Sequence, residues 1–123
     1  MPLYTAITQE SMPDETKARI AEEITRIHTA VMKVPRSFVH VIFLSYPKGS
    51  GYTAGKVAPA AVLNCTLRSG HTVEEKTDLL KQLWTMFQGL SAVATDQLAI
   101  SLQELPASNA MEMGQVMQAV THD

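Results

Sequence analysis

The sequence contains one cysteine, Cys65, which excludes a disulfide framework and any cysteine-rich metal module. That cysteine ends the apolar run Ala60-Ala61-Val62-Leu63-Asn64-Cys65, a setting for a buried inert thiol rather than a nucleophile. Neither sign of charge dominates. The 10 basic and 12 acidic side chains leave a formal charge of -2, with no basic stripe to follow a phosphate backbone, so nucleic acid is not an expected partner. No apolar run is long enough to span a bilayer. The opening Met-Pro-Leu-Tyr-Thr-Ala-Ile-Thr-Gln-Glu lacks both the cationic start and the continuous apolar stretch of a secretion signal. A cytoplasmic location without membrane attachment is therefore the expectation. The spacings of His28, His40 and His71 match no metal-ligand motif, and no metal is expected.

What is present is enough apolar material for one core. A chain of 123 residues that is 46% hydrophobic reads as a single domain, 1–123. Residues Leu3 to Thr8 are rich in strand formers and end at the polar Gln9-Glu10-Ser11. From Pro13 to Met32 the apolar positions Ile20, Ile24, Ile27 and Val31 recur at helical spacing, behind a proline and two acidic residues suited to a helix start. Phe38 to Leu44 is predicted as a second strand, and its near-continuous apolar character predicts cover on both faces. A glycine-rich stretch from Tyr46 to Gly55 predicts a tight hairpin or looped excursion. A third strand from Val62 to Leu67, a second helix from Thr72 to about Leu90 and a fourth strand from Leu98 to Leu102 follow, and the segment Met111 to Met117 reads as a short helix.

The two halves, 1–59 and 60–123, superpose at one constant offset. Glu15 matches Glu74, Lys17 matches Lys76, Val34 matches Val93, Pro47 matches Pro106 and Gly55 matches Gly114, each pair 59 apart (74 − 15 = 59) with no gap. Each half then forms a β-α-β unit with parallel strands. Two such units side by side make an α/β (α+β) fold, a four-stranded mixed sheet with both helices on one face. The bare face calls for self-association.

Pro2 carries the most unusual functional group. Removal of methionine before so small a residue leaves a secondary amine at the start of a strand, and burial in an apolar pocket lowers an amine's pKa by penalising its charged form. A neutral amine near pH 7 can take a proton beside a carbonyl and return it elsewhere.

With this Met-Pro start, the strand-helix-strand-glycine-loop order, the duplicated half and its length, the whole chain resembles the long-chain tautomerases, most closely the cis-3-chloroacrylic acid dehalogenase group. The local matches are Ile24-Thr25-Arg26-Ile27-His28, Leu67-Arg68-Ser69-Gly70-His71, Glu104-Leu105-Pro106 and Met111-Glu112-Met113-Gly114. The resemblance implies a cofactor-free homotrimer with a tautomerase fold like that of macrophage migration inhibitory factor. It makes Pro2 the proton-transferring amine and Glu112 the residue that positions or activates water. Arg68 would bind and polarise the carboxylate of an unsaturated acid, and His28 would hold that carboxylate by a charge-assisted hydrogen bond.

Two positions depart from the dehalogenase pattern. His71 stands where that group has a second arginine, and Ser101 where it has a tyrosine. An imidazole does not reproduce the permanent bidentate fork of guanidinium, and a serine hydroxyl is shorter and less acidic than a phenol, so efficient dehalogenation is not expected. Position alone allows plainer roles: His28 at the core edge, Arg68 and His71 in a solvated loop, Glu112 facing water, Tyr52 either a pocket wall or an apolar plug of its loop. The expected function is tautomerisation of a small 2-oxo or unsaturated carboxylic acid, with weak haloacrylate hydration or dehalogenation beside it. The alternatives are a dedicated hydratase or decarboxylase of the same superfamily, or a trimeric binding protein without catalysis.

Overall fold

The computed structural model describes residues 2–10, 12–118 and 120. Met1 and Ser11 lie outside the described residues.

Strand β1 spans Leu3–Gln9 and alternates half-buried with buried residues, so Tyr4, Ala6 and Thr8 point inward. Helix α1 spans Asp14–Met32 and brings Ile20, Ile24, Ile27, His28 and Met32 onto one buried face. Pro13 sits at its N-cap, acidic Asp14 and Glu15 occupy its first turn, and Lys33 closes it in the left-handed region at φ 58°. Strand β2, His40–Tyr46, lies parallel to β1 with Leu3 opposite His40. A small hairpin of β3, Tyr52–Thr53, and β4, Lys56–Val57, then leads into β5, Ala61–Arg68.

Helix α2 spans Val73–Ser91 and starts with a reciprocal capping box between Thr72 and Glu75. Leu79, Leu83 and Phe87 form its buried face, and Ala92 ends it at φ 60°. Strand β6, Leu98–Leu105, lies parallel to β5. The last elements are β7, Met111–Glu112, and β8, Gln115–Val116.

The sheet order is β2-β1-β5-β6, with β1 and β5 antiparallel at the centre. Both helices cover one face, where Tyr4, Leu63, Cys65, Leu79, Leu83 and Phe87 are fully buried. Burying each such apolar side chain contributes roughly 1.5–3 kcal/mol, which makes this helix-sheet layer the main source of stability.

Two sequence expectations change. The segment Met111 to Met117 is an antiparallel hairpin, Met111 opposite Val116, and not a helix. The 59-residue offset carries the reason: the β3–β4 hairpin, shifted, falls on the β7–β8 hairpin, and the φ values of Ala54 (52°) and Met113 (53°) repeat as well. Strand β2 is an edge strand whose outer face is bare, with Ile42 at 48% and Leu44 at 52% exposure, so its long apolar run does not reflect cover on both faces within one chain.

Candidate active site

Topology gathers the site at one end of the sheet. Because β1 runs against β5 and β6, the first residues of β1 lie beside the last residues of both; Leu3 pairs with Thr66, and Arg68 pairs with Leu105. Pro2 continues the inward alternation of Tyr4 and is buried. Its carbonyl oxygen accepts from the His40 amide at 3.0 Å. The β7–β8 hairpin follows β6 and therefore falls at this same end.

A cleft of about 610 Å³ opens there. Arg68 and Glu112 line it together with Phe38, His40, Val116 and Gln118. Arg68 donates from Nη1 to the Gln118 carbonyl at 2.6 Å, so the chain after β8 steadies the guanidinium. The loop after Arg68 turns through Gly70 at φ 115°, where an added Cβ would meet the Val120 side chain at 3.1 Å. Glycine is thus required both by the backbone angle and by the neighbouring chain.

His28 lies behind this end of the sheet, 1% exposed, with Nδ1 2.6 Å from the Tyr4 hydroxyl. Burial lowers its pKa to about 4, and the nearby His71 pushes in the same direction. Burial raises Tyr4 above the ordinary phenol range. The tyrosine therefore keeps its proton and the imidazole is neutral, the two joined through Nδ1. Cys65, pushed up to about 12 by burial, is an inert thiol as expected.

The sequence profile of the putative oxalocrotonate tautomerase enzymes matches residues 1–119. The chain belongs to this tautomerase family. Among curated proteins it is similar to a probable tautomerase of Streptococcus pyogenes serotype M3, 30% identical over 57 residues, 46% of this chain and 93% of that protein. Among solved structures, native Ps01740 is 30% identical with a TM-score of 0.87, covering 89% of this chain and 99% of the other. N1, a member of the cis-3-chloroacrylic acid dehalogenase family, is 27% identical with a TM-score of 0.88, covering 95% of this chain and 84% of the other. A fused 4-OT symmetric trimer shares the fold at 19% identity and a TM-score of 0.85, covering 94% of each chain.

Two residues expected at the tautomerase site lie elsewhere in the chain. Tyr52 sits on the hairpin after β2, which the parallel β1–β2 pairing carries to the opposite end of the sheet from Pro2, and it is 59% exposed. Within one chain it does not line this cleft. Ser101 stands mid-strand on the bare face of the sheet, donating to Asn64 Oδ1 at 2.6 Å. Tyr4, Phe38 and Gln118 are neighbours of these residues that the sequence reading did not single out.

Proposed function

We propose that this tautomerase-type enzyme moves a proton within a small 2-oxo or unsaturated monocarboxylic acid, without a cofactor, using the amine of Pro2 after Met1 is removed. The observation that carries the reading is the cleft that joins Arg68 to Glu112 at the end of the sheet where Pro2 begins. In this reading Arg68 holds the substrate carboxylate. The neutral amine takes the hydroxyl proton of the enol and, as ammonium, returns it to carbon. Phe38, Val116 and Met117 give the cleft apolar lining, a setting that would favour the neutral form of an amine reaching it from Pro2. Glu112 stands on the cleft wall as the second proton carrier or water-holding group.

Assembly belongs to the same proposal. The bare sheet face exposes Ile42 and Leu44 and carries the Asn64–Ser101 pair, a surface suited to a homotrimer of inward-facing sheets. In such a trimer the face that carries the Asn64–Ser101 pair would turn toward the other copies. In the second half Ala61 occupies the place of Pro2, at 2 + 59, and as an internal residue it offers no amine, so each chain holds one site.

The test is the ultraviolet rate of ketonisation of phenylenolpyruvate by Met1-free protein and its Pro2→Ala variant. Loss of about 100-fold or more on substitution is the expected result, since general acid-base groups contribute on that order. Equal rates, or none in either protein, would overturn the reading. A second reading, hydration or dehalogenation of a haloacrylate, draws on Glu112 in the cleft and on the similarity to N1. Release of halide from cis-3-chloroacrylate, lost in Glu112→Gln, would favour it.

A further inference from the structure

Between α1 and α2 lies a groove of about 700 Å³, lined by residues of those two helices. Arg19, Arg26, Lys81 and Gly89 on its walls are exposed, so it opens on the side of the helices turned away from the sheet. Self-association through the bare sheet face therefore leaves it uncovered. Its floor is apolar. Ile27 is 2% exposed there, and Met86 and Leu90 are half-buried and pack against the core.

Charge in the groove is one-sided. Three cations, Arg19, Arg26 and Lys81, share it with one carboxylate, Glu23. Glu23 is taken by Arg26, whose Nε lies 2.6 Å from Oε2. Glu22, one turn after Arg19, is held by Arg36 at 2.6 Å, and Asp78, one turn before Lys81, accepts from Gln82 at 2.9 Å. Arg19 and Lys81 form no ion pair among the described residues. They stand on opposite walls of the groove, and both are left to meet an anion that enters it.

Gly89 is an independent observation. It lies inside α2 without a positive φ, and a Cβ added there meets nothing within 4 Å. Neither backbone angle nor packing calls for glycine at this position, although glycine weakens a helix relative to alanine. Its match in the first half is Ala30, at 89 − 59. The missing side chain keeps open the groove that Gly89 lines.

We propose that this groove is a second ligand site, which takes a small amphiphilic anion. Its carboxylate is drawn to Arg19 and Lys81, and its aliphatic or aromatic body lies on Ile27, Met86 and Leu90 beside Gly89. A volume of about 700 Å³ falls within the range of small-molecule sites, roughly 300–1,000 Å³. Three apolar side chains on the floor fall short of the row of anchors that a docked protein helix uses. The site shares no residue with the cleft of Arg68 and Glu112 and stands apart from the catalytic proposal.

The probe is octanoate, with 1-octanol as its neutral counterpart and acetate as the head without the body, titrated by calorimetry and by amide NMR shifts into the full chain. Octanoate is expected to bind saturably, to shift the Gly89 and Arg26 amides, and to weaken as salt is raised. Octanol and acetate are each expected to bind about fivefold more weakly or worse. The double variant Arg19→Gln, Lys81→Gln is expected to weaken octanoate about fivefold, the scale of exposed ion pairs. Gly89→Phe is expected to abolish binding at wild-type circular dichroism, and Arg68→Ala to leave it unchanged. Where Gly89→Phe does not fold, the double variant decides. Gly89→Ala is expected to melt no lower than wild type; a lower melting temperature overturns the role given to Gly89. The site is overturned by absence of saturable binding, by undiminished binding in the double variant, or by shifts confined to the cleft and lost in Arg68→Ala. Octanol that binds as well as octanoate overturns the choice of an anion. An acidic helical peptide that binds where octanoate does not overturns the small-molecule site and gives the groove to a protein partner.

Discussion

The hydroxyl of Tyr4 and Nδ1 of His28 share a hydrogen bond of 2.6 Å, and the rings meet edge to face at 87°. Tyr4 lies two residues after Pro2 on β1, so this bond ties the strand that begins with the proposed base to the middle of α1. Tyr4→Phe keeps the ring and leaves a buried imidazole nitrogen without its partner. The expected cost is about 1–3 kcal/mol, read as a lower urea midpoint at unchanged slope. An unchanged midpoint would mean that the bond adds nothing net to stability.

The same burial makes stability depend on pH. His28 titrates near 4 in the fold against 6.5 in the unfolded chain, so between these values the unfolded state binds the extra proton. Its stabilising contribution is complete above pH 6.5 and is lost as pH falls toward 4. The full effect is up to about 3 kcal/mol. Melting temperatures of wild type and His28→Asn, measured from pH 7.5 to 5, check this. Wild type should lose stability over that range, and the variant should show a flatter profile.

Arg68 provides a direct test of carboxylate binding. Arg68→Ala removes the permanent cation from the cleft, and KM for phenylenolpyruvate is expected to rise about tenfold or more, as for a lost charge-assisted hydrogen bond. With the methyl ester of the substrate, wild type and variant should differ little. A similar loss with acid and ester would assign Arg68 a structural role through Gln118 instead.

Residues on helices and central strands were legible from periodicity, because a side chain's distance from the core there follows from its place in a repeat. Ile20, Ile24 and Ile27 marked the buried face of α1, and Leu79, Leu83 and Phe87 that of α2. The β7–β8 hairpin escaped because Met113, Val116 and Met117 mimic a helical stripe over so short a segment. Its match to the β3–β4 hairpin at the constant offset held the better answer.

By itself the sequence determined the order of the four long strands and two long helices, the repeat and the residue types offered for catalysis, since these rest on local pattern and covalent order. Only the tertiary structure decided which of those residues meet. Strand direction placed Arg68 and Glu112 at the end of the sheet where Pro2 begins, sent Tyr52 to the far end, and set Ser101 on the bare face. Burial, which no local pattern measures, keeps the His28 imidazole neutral against Tyr4. The bonds from Lys76 and Gly70 to Glu104 join residues 28 and 34 positions apart, and such contacts exist only once the sheet and helix have packed.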